Sequence, residues 1–212
     1  MGGTMIAEAE PDTQAAEPAQ PDGAPWPIPP EGGYTLDDLY TLSLPPHTQL
    51  IDGSLVFVSP QRKFHTVAMY LLETGLRSSV PEHYRVRREM AVVLGPRNVP
   101  EPDLVVVTAE ADADQNQTRY EAKDVVLAVE VVSPDSEERD RDTKPHKYAA
   151  AGIPHFWRVE QAAESHHPVV YVYELDQGAK ATSYVLTGIH RDALKVEVPY
   201  GIGIDLTEID RL

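Results

Sequence analysis

The chain contains no cysteine. That excludes disulfides, thiolate metal sites and a cysteine nucleophile together, and it fits a reducing compartment, so a cytoplasmic location is expected. No apolar run approaches the roughly 18 residues that a membrane span needs. The start of the chain lacks a basic stretch followed by an apolar one, so no signal peptide is expected either. Basic residues are scarce: 18 Lys and Arg stand against 34 Asp and Glu, for a net charge of −16. A field of that sign repels phosphate at long range and opposes loose binding to nucleic acid.

What is present is the composition of an ordinary globule, with 42% hydrophobic and 25% charged residues over 212 positions. A chain of this length suits one domain plus a tail and can build a core unaided. Residues 1–33 carry Glu8, Glu10, Asp12, Glu17, Asp22 and Glu31 with no Lys or Arg, among many Ala, Pro and Gly. Such a segment buries too little apolar surface to order itself, so a disordered acidic tail is expected there and a folded domain over 34–212.

Within 34–212 the pattern alternates between short helices and strands. Tyr34–Leu42 reads as a helix with Thr35 as N-cap and Asp37 and Asp38 in its first turn. Asp52-Gly53 between two apolar runs predicts a hairpin over 49–58. Phe64–Leu76 has the apolar spacing of a helix that covers a sheet. Strands are expected at 84–90 and 91–94, with a loop or short helix over 110–123. The runs LVVV (104–107) and VVLAVEVV (125–132) are nearly continuous apolar stretches, which suit strands buried on both faces. A helix over 144–151, a strand at 155–159 and a series of short strands to residue 204 follow. The sum is an α/β domain with a mixed central sheet.

Two carboxylates stand out. PEPDLVVV (100–107) places Asp103 at the head of one apolar strand, and LAVEVVSP (127–134) places Glu130 near the close of another. A buried strand accepts a bare charge only if it is paired, hydrogen-bonded or metal-bound. Two neighbouring carboxylates repel unless a cation lies between them, and an all-oxygen site favours Mg²⁺ or Mn²⁺. Phosphodiester cleavage requires such a metal, an acidic pair to hold it, and a cation near the developing charge. Lys144 is the candidate cation. Helical spacing lets it share a face with Asp140 and Tyr148, although Asp140 and Lys144 equally read as a plain surface ion pair.

LIDGSLVFVSP (50–60), His65, PEPDLVVV, and the stretch from 126 to 159 with its Asp-xxx-Lys-xxx-Tyr-xxx-Gly-Ile-Pro-xx-Trp pattern resemble the Uma-type restriction endonucleases of the PD-(D/E)XK superfamily. The resemblance covers nearly all of 34–175. It implies a restriction-endonuclease-like fold: a mixed central sheet flanked by helices, with extra C-terminal strands. It implies a Mg²⁺-dependent endonuclease acting on DNA, with Asp103 and Glu130 as metal ligands, the Val131 carbonyl as a further ligand and Lys144 as the catalytic lysine. A homodimer is implied by analogy. Three positions depart from the pattern. Gln49 stands where many relatives have Glu, Pro145 directly follows Lys144, and Glu160 closes the FWRV segment. Pro145 places the helix start near Thr143 and leaves Lys147 as an alternative cation.

Plainer readings stand beside these. Asp103 suits a turn after proline. Arg85, Arg87 and Arg88 read equally as a phosphate-facing strip or a solvated strand edge. His65 reads as orienting the site or, preferably, as a satisfied core histidine, and Ser133 as a strand-end hydrogen-bonder. His155, His166 and His167 lack ligand spacing, and Trp157 reads as core. The rival functional class is an interaction module of the same fold without catalysis; a hydrolase of smaller phosphate esters is a third.

Overall fold

The computed structural model describes residues 28–178 and 182–212. Most of the expected acidic tail, residues 1–27, lies outside them. The capped helix is α1 (Leu36–Thr41): the Thr35 side chain accepts from the Asp38 N–H while Asp38 reaches back to the Thr35 backbone, satisfying two orphan donors at once. The hairpin is β1 (Gln49–Ile51) and β2 (Ser54–Val56). Its turn residues Asp52 and Gly53 have φ of 51° and 77°, as a two-residue hairpin turn of the right twist demands.

After the long helix α2 (Lys63–Ser79) come β3 (Tyr84–Arg88), β4 (Ala91–Val93) and β5 (Leu104–Thr108). The segment expected as a loop or short helix instead carries β6 (Arg119–Glu121), which pairs with β4 in parallel, and one short 3₁₀ turn. Buried Tyr120 anchors β6, and a three-residue strand is too short to show an alternation. Then follow β7 (Val125–Val131), α3 (Lys144–Ala150), β8 (His155–Gln161), β9 (Pro168–Leu175), β10 (Tyr184–His190), β11 (Ala193–Val196) and β12 (Ile202–Asp205).

The central sheet has six strands in the order β10-β9-β8-β7-β5-β3. Only β7 and β8 run parallel; the other neighbours are antiparallel. This is the expected mixed sheet. Strand alternation divides its two faces cleanly. Leu104, Val106, Leu127 and Val129 pack with α2 and with the β11–β12 hairpin. Val105, Val107 and Ala128 pack with Tyr148 of α3, Ile153 and Phe156. β5 and β7 are thus covered on both sides, which explains their unbroken apolar runs.

Where α2 crosses β12, Gly75 lets the Ile204 side chain pack directly on the helix backbone. A Cβ built on Gly75 would lie 2.4 Å from Cγ1 of Ile204. Gly75→Ala is therefore expected to lower stability by about 1–3 kcal/mol through overpacking, outweighing the roughly 1 kcal/mol it gains in helix propensity. Denaturant unfolding of Gly75→Ala alone and with Ile204→Ala checks this. The second change should recover part of the loss, and an unshifted midpoint in the single variant contradicts the crossing.

Candidate active site

Strand register brings the two predicted carboxylates together. Leu104 of β5 lies opposite Val129 of β7, so one step further Asp103 comes opposite Glu130. Both then turn to the α3 face, with Val105 and Ala128. Asp103 accepts the Val131 N–H on Oδ2 at 2.6 Å, and its Oδ1 lies 3.0 Å from His65 Nε2. The histidine thus grips the predicted ligand. Of the two readings of His65, the contact with Asp103 fits the orienting one, and the residue is buried as well; α2 was seen in the sequence, but not that its first turn ends beside β5.

Glu130 is only 2% exposed. Lys144 Nζ lies 2.9 Å from Glu130 Oε2 and 3.1 Å from Asp140 Oδ1, and the Tyr148 hydroxyl donates to Glu130 Oε1 at 2.5 Å. The Ser136 hydroxyl donates to Asp140 Oδ2. Asp140, Lys144 and Tyr148 are all buried, so the Asp140–Lys144 contact is no surface ion pair. Lys147 points elsewhere: its ammonium bonds Asp52 Oδ1 at 2.5 Å, at the tip of the β1–β2 turn.

Proline does not turn Lys144 away. Residues 139–143 form one wide helical turn in which the Lys144 N–H reaches the Arg139 carbonyl, five residues back. α3 then starts at Lys144 with Pro145 in its first turn. A proline there loses no hydrogen bond, and the widened turn avoids the clash its ring would make in a regular helix.

Two more polar groups share the cavity. Gln49 is buried on β1 and its Oε1 has no partner. Glu101, partly buried, meets His47 Nδ1 at 2.5 Å. Cavity, carboxylates, Gln49 and Lys144 enclose about 50 Å³. Sequence reasoning singled out Gln49 only as a departure and passed over Glu101.

Burial pushes the Glu130 carboxyl up, and nearby Asp140 and Asp103 push it further, to about 8, against the opposing pull of Lys144 and Tyr148. Burial alone would lower the Lys144 ammonium's pKa. The carboxylates of Glu130, Asp140 and Asp103 override this and hold it above its ordinary value. His65 follows the same logic: burial lowers it, Asp103 more than restores it, and the net shift is upward. Asp103, Glu130 and Asp140 thus face one ammonium and one imidazole, an excess of negative charge that a proton or a further cation relieves.

Among the described residues no group of three or more His, Asp or Glu could by itself hold a metal ion. Mg²⁺ needs no such cage, since it binds through one or two carboxylates and keeps several waters. Asp103, Glu130, the Val131 carbonyl and the unpartnered Gln49 oxygen could offer oxygen donors to such an ion. Two of the three histidines that lack ligand spacing have roles away from this cavity. His167 pairs with Asp210, and burial lowers His155.

The arginine strip on β3 is committed internally. Arg87 pairs with Asp112, which also accepts from Tyr120, Arg88 pairs with Glu73, and Arg85 bonds the Glu82 and Tyr84 carbonyls. Ser133 bonds Ser136 at the end of β7, as expected.

A family model described as "Putative restriction endonuclease", Uma2, matches residues 36–207. Among solved structures, the chain is similar to the crystal structure of "a putative nuclease belonging to DUF820" from Anabaena variabilis, with 17% identity and a TM-score of 0.60. The match covers 78% of this chain and 89% of that one. At that identity it shows a shared fold. No curated protein matches this chain.

Lys144→Met would leave Glu130 and Asp140 buried without their cation. It should cost about 3–5 kcal/mol of unfolding free energy, the usual result of removing one partner from a buried ion pair. Urea unfolding measures it, and a loss below about 1 kcal/mol, the range of exposed pairs, would contradict the buried contact.

Proposed function

From the premise that the chain belongs to the Uma2 family of "Putative restriction endonuclease" proteins, we propose that it is a Mg²⁺-dependent endonuclease that hydrolyses DNA phosphodiester bonds. The observation that carries this reading is the Lys144 ammonium, 2.9 Å from Glu130, beside the Asp103 that lies opposite it. An acidic pair with a lysine amine at its edge is what phosphodiester hydrolysis requires.

Asp103, Glu130 and the Val131 carbonyl would hold the Mg²⁺, and Mn²⁺ satisfies the same donors. When bound, the metal supplies a Lewis acid for the phosphate and acidifies a water. The remaining work falls to the chain. His65 and the Val131 N–H fix the Asp103 carboxylate, one on each oxygen. Tyr148 fixes Glu130 in the same way. Lys144, held charged by Asp140 as well as Glu130, orients the attacking water and offsets the charge that develops on the phosphorus oxygens. Preorganised charge of this kind is typically worth a factor of about 10²–10³ in rate.

The cavity of about 50 Å³ has room for an ion with a water or two, at roughly 30 Å³ per water. It does not enclose a small phosphate ester, and it suits a phosphate on a strand laid across its mouth. One observation favours a second reading, an interaction module of the same fold. Both Glu130 oxygens already have protein partners.

Purified protein should nick supercoiled plasmid with Mg²⁺ or Mn²⁺, and Asp103→Ala and Glu130→Ala should abolish nicking. No nicking with either metal at several salt concentrations, with Asp103→Ala indistinguishable from the parent, would sink the endonuclease reading. Mn²⁺ calorimetry separates the two readings. Saturable heat that Glu130→Ala removes supports the metal site, and a flat titration leaves the interaction module.

A further inference from the structure

Resting on the endonuclease reading above, we propose that the cavity at the start of α2 seats the phosphate next to the scissile one on the substrate strand, with Arg62 and the first-turn N–H groups of α2 as its donors.

This cavity encloses about 170 Å³ and meets the smaller Asp103–Glu130 cavity at His65 and Ser133, which line both. A strand with one phosphate at the acidic pair can thus bring the adjoining phosphate to its mouth. Besides His65, the charged groups on its walls are Arg62, Arg141, Glu137 and Glu160. Arg141 pairs with both glutamates, and Arg158 meets Glu160 as well. Three arginines therefore stand against two glutamates, and the uncompensated one is Arg62. It is exposed, and its side chain forms no ion pair or hydrogen bond among the described residues.

The backbone adds donors beside it. Arg62 is the N-cap of α2, a helix of 17 residues, and no side chain caps that end. The first N–H the helix takes up is that of Thr66, on the Arg62 carbonyl. The N–H groups of Lys63, Phe64 and His65 therefore have no helical acceptor and point out of the helix start. They stand at the positive end of its dipole, where an anion is favoured. Phe64 and His65 line the cavity with Arg62.

His65 gives an independent sign of a ligand. It is only 5% exposed, and its Nε2 is used on Asp103 while its Nδ1 has no partner. The two ring nitrogens diverge, so Nδ1 points away from Asp103, which lines the first cavity and not this one. A buried nitrogen left unpaired is costly. A water bridging it to a phosphate oxygen satisfies both groups without any change of protonation. A chain of net charge −16 gains little from general phosphate neutralisation, so one local seat of this kind has a large share in placing the strand.

The test is an NMR titration of the isotopically labelled full chain in EDTA, with inorganic phosphate replacing chloride at constant ionic strength. The Phe64 and His65 amide signals should shift and saturate. Arg62→Gln should weaken phosphate binding about tenfold, the usual cost of one charge-assisted contact. Lys123→Gln makes the same charge change at an exposed site before β7, at the far end of that strand from Glu130, and should alter binding less than about twofold. First-turn amides that do not move, or Arg62→Gln binding phosphate as the parent does, overturn the site. Fluorescence anisotropy with a labelled 16-base-pair duplex identifies the source of the phosphate. Inorganic phosphate should displace the duplex over the range that shifts the amides, and Arg62→Gln should lower the slope of log K against log salt by about 0.9. A duplex that stays bound while phosphate saturates the site overturns the strand assignment in favour of a free anion. EDTA removes cleavage from both measurements, so the two readings fail separately. A protein that never nicks plasmid but shows the Arg62 effects loses only the catalytic reading, and one that nicks without them loses only this seat.

Discussion

Glu130 sits in the middle of a sheet that has apolar layers on both faces, and a carboxylate there must be matched or protonated. Much of the surrounding architecture serves that need. The antiparallel register of β5 against β7 delivers Asp103. α3 lies on the same face because Tyr148, Ile153 and Phe156 share a core with Val105 and Ala128, and the helix that fills that core also brings Lys144 and the Tyr148 hydroxyl to Glu130. Packing and charge matching are done by the same few residues. A change that loosens α3 therefore also exposes the carboxylate to an unbalanced environment.

That coupling decides which parts were readable from the sequence. Asp103 and Glu130 were legible because a charge in an apolar run is conspicuous. The α1 cap and the Asp52-Gly53 turn were legible because they are set by neighbouring residues. Asp140 was only half legible. Its four-residue spacing from Lys144 predicted a contact, but burial depends on where the sheet lies, which spacing does not state. The choice between Lys144 and Lys147 was open for a related reason. Pro145 looked like an obstacle to Lys144, and a single wide turn over 139–143 removes it. Such a turn has no marker in the sequence. β6 was hidden by its length, and the arginines of β3 by partners 15 and 25 residues away, Glu73 and Asp112.

The acidity of the chain looks at first like an argument against a nucleic-acid substrate. Its distribution softens that argument. Five of the acidic residues lie in 1–27, and at the site itself the proposed divalent cation would offset the excess of carboxylate over ammonium. Negative potential repels a bare phosphate and would attract the metal that the proposed hydrolysis requires.

Gln49 bears on the same balance. A glutamate at that position would add a further carboxylate to a cavity already rich in them, and it would raise Glu130 further. The amide contributes an oxygen without a charge, and its unpartnered Oε1 is costly to bury unless something meets it. Asp140 works in the complementary direction. It gives Lys144 a carboxylate that lies outside the Asp103–Glu130 pair, so the ammonium remains compensated even when Glu130 turns an oxygen to another cation. A neutral donor on one side and a private counterion on the other let one small cavity hold a lysine and, on the proposed reading, a metal ion together.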